Sequence, residues 1–185
     1  MIESGSQWSR NARTRDGKPY LIRPIRADDA EREAAFIVAL SEQSRFNRLM
    51  YHLREPSPAF VADLVNVDYR SSMALVSVVA GPDGDRIIGV ARYAPIDGSV
   101  LDDCEFAIAV ADEWQSRGIG HALCRALFDY AGAQGIRHIQ GNVLATNDDM
   151  LRLVRGLGMS TRRVDGDASL VCASIDLSSQ QRSSY

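Results

Sequence analysis

Residues 112–123 read DEWQSRGIGHAL, and within them Gln115-Ser116-Arg117-Gly118-Ile119-Gly120 places two glycines at the opening of a helix. Glycine inside a helix costs about 1 kcal/mol relative to alanine. Bare backbone at this point therefore serves something other than helix stability. A helix N-terminus presents unpaired N–H groups and roughly half a positive charge. Without side chains at 118 and 120, a large anion can lie directly against those groups. Arg117 adds a permanent forked donor; Gln115 can orient the turn or donate to a phosphate oxygen, and His121 can add another donor. The stretch reads as a diphosphate cradle made mainly of backbone. It is not a Walker A loop, which ends in Gly-Lys-Ser/Thr, nor a Rossmann fingerprint, which needs a third glycine. The alternative is a plain glycine turn.

Both flanks are patterned. After Gly118, the residues Ile119, Ala122, Leu123, Ala126, Leu127 and Tyr130 repeat at helical spacing, with Arg125 and Asp129 on the other face. Before it, DCEFAIAV (103–110) alternates as a strand. Glu105, Ala107 and Ala109 share one face; Cys104, Phe106, Ile108 and Val110 share the other. A carboxylate beside two alanines leaves room for a ligand. Burial there would raise its pKa toward that of a general base.

Further out, YLIRPI (20–25) reads as a short strand, with Pro24 suggesting an edge. A helix comes next, with Asp28 and Asp29 as N-cap and first-turn charge. Ser57 and Pro58 open a second helix. Two β-branched runs around GPDGD (81–85) make a hairpin. HIQGNVL (138–144) is a strand. TNDDMLRLVRGLGM (146–159) is a capped helix with Gly158 as its left-handed stop. The chain closes on a hairpin turning at Asp165-Gly166. The expected order is β-α-α-β-β-β-α-β-α-β-β in one α/β or α+β domain. Residues 1–18 read as a mobile arm, 19–177 as the domain and 178–185 as a loose tail.

Composition narrows the class. The 185 residues carry a net charge of −3 and are 45% hydrophobic, unlike a nucleic-acid or membrane-surface binder. No apolar run approaches a membrane span and no secretory h-region opens the chain. Cys104, Cys124 and Cys172 are far apart, without CxxC spacing, and fit a reduced cytoplasmic protein. His52, His121 and His138 show no metal-ligand spacing, so no metal is expected.

The pattern Q-x-x-G-x-G, after a strand and opening an amphipathic helix, resembles the acyl-CoA loop of the GNAT N-acetyltransferases. More of the chain is similar to the acetyltransferase domain of bacterial Pat-type protein lysine acetyltransferases: RDGKPYLIRPIRADDA, ALSEQSRFNRLM, CEFAIAVADEWQSRGIGHALCRAL and NDDMLRLVRGLGM. The resemblance implies a central, mostly antiparallel mixed sheet, splayed between its middle strands and flanked by about four helices. It implies acetyl-CoA as acyl donor and a protein lysine as acceptor, for instance on an acyl-CoA synthetase, by direct transfer in a monomer or homodimer. The alternatives are a small amine acceptor (polyamine, aminoglycoside or amino acid) and a non-catalytic CoA-sensing module.

Acetyl transfer needs a close thioester, a deprotonated amine and a donor for the oxyanion. The resemblance assigns the base to Glu105, with Asp102 and Asp103 as lesser candidates and an Arg92 ion pair as the non-catalytic alternative for Glu105. It assigns the donor contacts to Ile108, Ala109 and Val110, the loop Gln115–His121 (Gln115, Ser116, Arg117, Gly118, Ile119, Gly120, His121) and Asn147. The Val110 N–H is expected to polarise the thioester carbonyl, a β-bulge to open the splay, and Asn147 also to cap its helix. The last helix holds no tyrosine as general acid, and Tyr51, Tyr69 and Tyr93 cannot be placed to replace it. The cysteines read as structural rather than nucleophilic. SRFNRLMYHLR (44–54), with Arg45, Arg48, His52 and Arg54, reads either as an ordinary helix-loop segment or as the acceptor wall.

Overall fold

The computed structural model describes residues 8–82, 84–96 and 103–178. They form an eight-stranded sheet in the order β1-β2-β3-β4-β5-β6-β8-β7 with five α-helices and two 3-10 turns. In chain order these are β1 (Arg10–Arg13), β2 (Pro19–Pro24), α1 (Ala30–Ala39), α2 (Glu42–Leu49), α3 (Pro58–Val65), β3 (Met73–Gly81), β4 (Gly84–Pro95), β5 (Asp103–Val110), α4 (Ile119–Ala133), β6 (His138–Leu144), α5 (Asp148–Gly156), β7 (Ser160–Val164) and β8 (Asp167–Asp176). Every neighbouring pair is antiparallel except β5/β6, which is parallel.

Two apolar layers clasp the sheet. On one face α4 buries Ile119, Leu123, Ala126, Leu127 and Tyr130 against Leu75, Ile88, Tyr93 and Phe106. The face is broader than the expected stripe, because Cys124 and Phe128 are buried as well. On the other face α1 and α3 lay Phe36, Ile37 and Val65 over Ala74, Val76 and Val90. Both sheet-side helices α4 and α5 stop by the same device. Gly135 (φ +89) and Gly158 (φ +80) take the left-handed conformation. The next N–H groups reach back, Ile136 to the Ala131 carbonyl and Met159 to the Val154 carbonyl, each at 3.0 Å, as a Schellman stop requires.

Three expectations are corrected. Residues 10–13 form an edge strand on β2, so the part of the N-terminal stretch from residue 8 on is not a mobile arm; residues 1–7 and the tail beyond 178 lie outside the described residues. Pro24 is not on an edge strand: it ends β2 opposite Leu75, two residues past Ile22, the last to pair with β1, where its missing N–H costs no ladder bond. Asp29 does not cap α1. It is fully buried and chelates Arg23 through both oxygens, at 2.6 and 2.8 Å, while accepting from Arg26 N–H at 3.0 Å. A further helix, α2, stands within the stretch read as acceptor wall, capped by Ser41, whose hydroxyl accepts from Ser44 N–H at 3.1 Å.

Candidate active site

β5 positions the site. The bonds from Ala111 N–H to the Ile88 carbonyl (2.9 Å) and from Ile96 N–H to the Asp103 carbonyl (3.3 Å) lie on one register with the Val90↔Ala109 and Arg92↔Ala107 pairs. Antiparallel ladders alternate hydrogen-bonded and non-hydrogen-bonded pairs. Residues 105, 107 and 109 therefore exchange bonds with β4, and residues 106, 108 and 110 turn their N–H and C=O groups toward β6. β6 pairs only as far as Glu105↔Gln140. Beyond that point the two strands part, in line with the splay expected from the sequence.

The parting does not come from a bulge in β5, whose register with β4 is continuous. The bulge lies one strand away, where Ser77 and Val78 face Gly89 and Ile87 and leave Ile88 extra in β4. Gly141 lets β6 pass close to β5 before the strands diverge. A Cβ there would meet the Phe106 ring at 2.8 Å and the Phe106 carbonyl oxygen at 2.9 Å.

A groove of about 750 Å³ opens at the parting. One wall is α2 and the turn at its C-terminal end, with Ser44, Asn47, Arg48 and Met50; Glu105 to Val110 line the groove as well. Its other end is Gly118, Gly120 and His121 of the glycine loop, with Asn147 and Leu153 from α5. Gln115 and Ser116 also line it. Ser116 (φ +59) and Gly118 (φ +91) both adopt the left-handed region to turn the chain into α4. Asn147 caps α5, its Oδ1 accepting from Met150 N–H at 3.1 Å.

Several anticipated residues stand elsewhere. Ile119 is 1% exposed and packs into the core. Arg117 faces away, held by Asp16 at 2.6 Å and by the Glu113 carbonyl at 3.1 Å. Ala109 lines the groove, but its main chain is spent on Val90. Glu105 is exposed and lines the groove, rather than being buried as anticipated. The alternative ion pair with Arg92 does not form: Arg92 binds Glu33 at 3.1 Å. Asp103 pairs with His138 at 2.9 Å, and Asp102 lies outside the described residues. Tyr93 and Tyr69 donate to the Arg70 and Ile25 carbonyls, and Tyr51 is exposed. Burial pushes the Cys124 thiol up to about 12, which keeps it protonated and inert at neutral pH.

The sequence reading missed the charges behind the acceptor wall. Glu33 is buried, with Oε2 unsatisfied, and burial raises its pKa against the pull of Arg92. Arg48 stands among Arg92, Glu33 and Glu105; burial and then the Arg92 charge bring it down to about 10. It stays a cation at neutral pH. Only periodic placement of Glu33 on the inner face of α1 signalled this cluster. Among the described residues no cluster of metal-ligating side chains is present, and no helix is long and apolar enough to cross a membrane.

A mixed sheet that parts at its single parallel pair, with a glycine-opened helix facing the gap, is the framework of an acyl-CoA-dependent acyltransferase. The chain belongs to the acetyltransferase (GNAT) family, whose model matches residues 28–159, and acetyl-CoA is the donor substrate of that family. It is 36% identical over 156 residues to an acetyltransferase of Pseudomonas aeruginosa, covering 84% of this chain and 83% of that one. It is 30% identical over 153 residues to the acetyltransferase Pat of Mycolicibacterium smegmatis; 82% of this chain matches, but it spans only 44% of that relative. The solved GNAT domain of S. lividans PAT superimposes with a TM-score of 0.85 at 27% identity, covering 94% of this chain and 99% of that one. The resemblance to Pat-type acetyltransferase domains thus holds for both sequence and fold.

Proposed function

We propose that this acetyltransferase moves an acetyl group from acetyl-CoA directly to the side-chain amine of a protein lysine, with Glu105 as general base. The observation that carries the reading is the position of Glu105. It is the last β5 residue still paired with β6, and its carboxylate opens into the groove between the α2 wall and the glycine loop. An acceptor amine entering along α2 meets it beside the strand end where the thioester would lie.

The donor occupies the rest of the groove. Its diphosphate rests on the N–H groups at Gly118 and Gly120. The pantetheine arm runs along the main-chain groups of Ile108 and Val110 like an added strand. The thioester carbonyl receives the Val110 N–H, which would stabilise the oxyanion of the tetrahedral state. Ser116, His121 and Asn147 complete the contacts. Glu105 takes the ammonium proton, directly or through water, so that the neutral amine attacks. The C–S bond then breaks; the CoA thiolate takes a proton from water, and the nitrogen gives its second proton back to that water. The likeness to Pat-type domains supports a protein lysine over a small amine.

The test is thiol release from acetyl-CoA with a purified acyl-CoA synthetase and with a panel of small amines, Glu105→Gln run alongside. Release with the protein alone, lost in the variant while acetyl-CoA still binds, is the expected result. Release with a small amine moves the acceptor to that class. An unchanged rate in Glu105→Gln removes Glu105 as base.

A further inference from the structure

The arginine of the glycine loop is turned out of the groove. Arg117 gives Nη1 to Asp16 at 2.6 Å and Nε to the Glu113 carbonyl at 3.1 Å, and its guanidinium lies 5.5 Å from the centre of the Trp114 ring. The cation that stands beside the loop is Arg15. Its N–H donates to the Arg117 carbonyl at 3.0 Å. Its Cγ and Nε lie 3.5 and 3.6 Å from where a Cβ at Gly118 would be, and it lines the groove. Among the described residues no ion pair or hydrogen bond engages its guanidinium.

The turn that carries Arg15 is built rather than loose. Thr14 is 5% exposed; its hydroxyl accepts from Lys18 N–H at 2.9 Å and its carbonyl accepts from Gly17 N–H at 2.9 Å. β1 and β2 clamp the turn on both sides. One residue of it, Asp16, captures Arg117 outside the groove, while its neighbour Arg15 lines the groove.

We propose that Arg15, on the turn between β1 and β2, is the cationic contact for the diphosphate of acetyl-CoA, so that the N-terminal hairpin forms one wall of the donor site. The inference rests on the acetyl-CoA reading of the groove. Helix N–H groups supply only partial charges. A forked guanidinium supplies a full charge and matches adjacent phosphate oxygens. Arg15 is exposed and bonds through its backbone, so replacing its side chain leaves the turn intact.

The experiment is binding of CoA, 3′-dephospho-CoA and pantetheine to the full chain and to Arg15→Ala, by calorimetry or by competition for pantetheine, with melting temperatures as control. The expected result is a rise in Kd on the order of fivefold to tenfold for CoA and for 3′-dephospho-CoA alike, with pantetheine unchanged and Arg15→Lys intermediate. Equal Kd values for Arg15→Ala and the unaltered protein overturn the inference and leave the acetyl-CoA reading standing. So does a loss confined to CoA, which would put Arg15 on the 3′-phosphate. Failure of the unaltered protein to bind CoA overturns both.

Discussion

Gln115 donates from Nε2 to the Val110 carbonyl at 3.0 Å and to the Ser44 hydroxyl at 3.2 Å. One side chain thereby joins the end of β5 to the helix of the acceptor wall. Asp112 does the rest: its carboxylate accepts from Ser41 N–H at 2.9 Å and from the Ser41 and Ser44 hydroxyls, each at 2.7 Å. Those bonds hold the Asp112 carboxyl below its ordinary range despite the opposing effect of burial. Gln115 was anticipated either to orient the turn or to donate to a phosphate; its amide nitrogen is committed to this joint, the first of the two.

Loosening the joint should act on the acceptor. Asp112→Asn keeps the shape but cannot accept from three donors, a loss of about 1–1.5 kcal/mol. Acceptor KM is expected to rise roughly fivefold to tenfold, with the Kd of acetyl-CoA unchanged. Steady-state kinetics in both substrates check this; a parallel rise in both constants would mean general damage instead.

The two loop glycines are there for different reasons, and substitution should separate them. Gly118 has φ +91, where a side chain costs about 1–2 kcal/mol. Gly118→Ala should lower Tm by about 3–6 °C and weaken acetyl-CoA binding. At Gly120 a Cβ would meet Leu153 at 3.4 Å and Ile108 at 3.5 Å, ordinary contact distances. Gly120→Ala should keep or raise Tm, since alanine favours the helix, and still weaken acetyl-CoA binding by filling the groove. Thermal melts and binding on both variants test the distinction.

Asp29 sets an acid limit on stability. Burial works to raise its pKa, but the bonds and charge of Arg23, the Arg26 N–H and the Arg32 charge outweigh it, and the carboxyl is held below its ordinary range. A depressed folded pKa contributes stability that is present above the unfolded value near 4 and is lost as pH falls below it. Asp29→Asn leaves Arg23 buried and unpaired, which should cost about 3–5 kcal/mol at pH 7. The difference between variant and parent should shrink in urea melts as pH falls below 4; a gap independent of pH would rule out the ionised pair as its source.

Cys124 should be chemically silent. With its thiol held up at about 12 and the residue fully buried, iodoacetamide should label it only in denaturant. Cys124→Ala should turn over acetyl-CoA within twofold of the parent while losing about 1 kcal/mol of stability. Loss of turnover with an unchanged melt would reopen a covalent route through cysteine.

What the sequence determined by itself was local. The α4 stripe, the Gly158 stop, the Ser57 cap and the strand face shared by Glu105, Ala107 and Ala109 are set by neighbours along the chain, so short-range patterns reveal them. β1 escaped notice because RNAR carries only one apolar residue, and an edge strand needs no more. α2 escaped because EQSRFNRL buries no residue fully and is held by capping and by Asp112, 71 positions away from Ser41. The tertiary structure alone decided that Arg117 turns out of the groove to Asp16, that Glu105 is exposed, and whom Gln115 and Asp29 serve. Each of those depends on side chains brought together from distant segments, where one salt bridge redirects a side chain that spacing alone had aimed elsewhere.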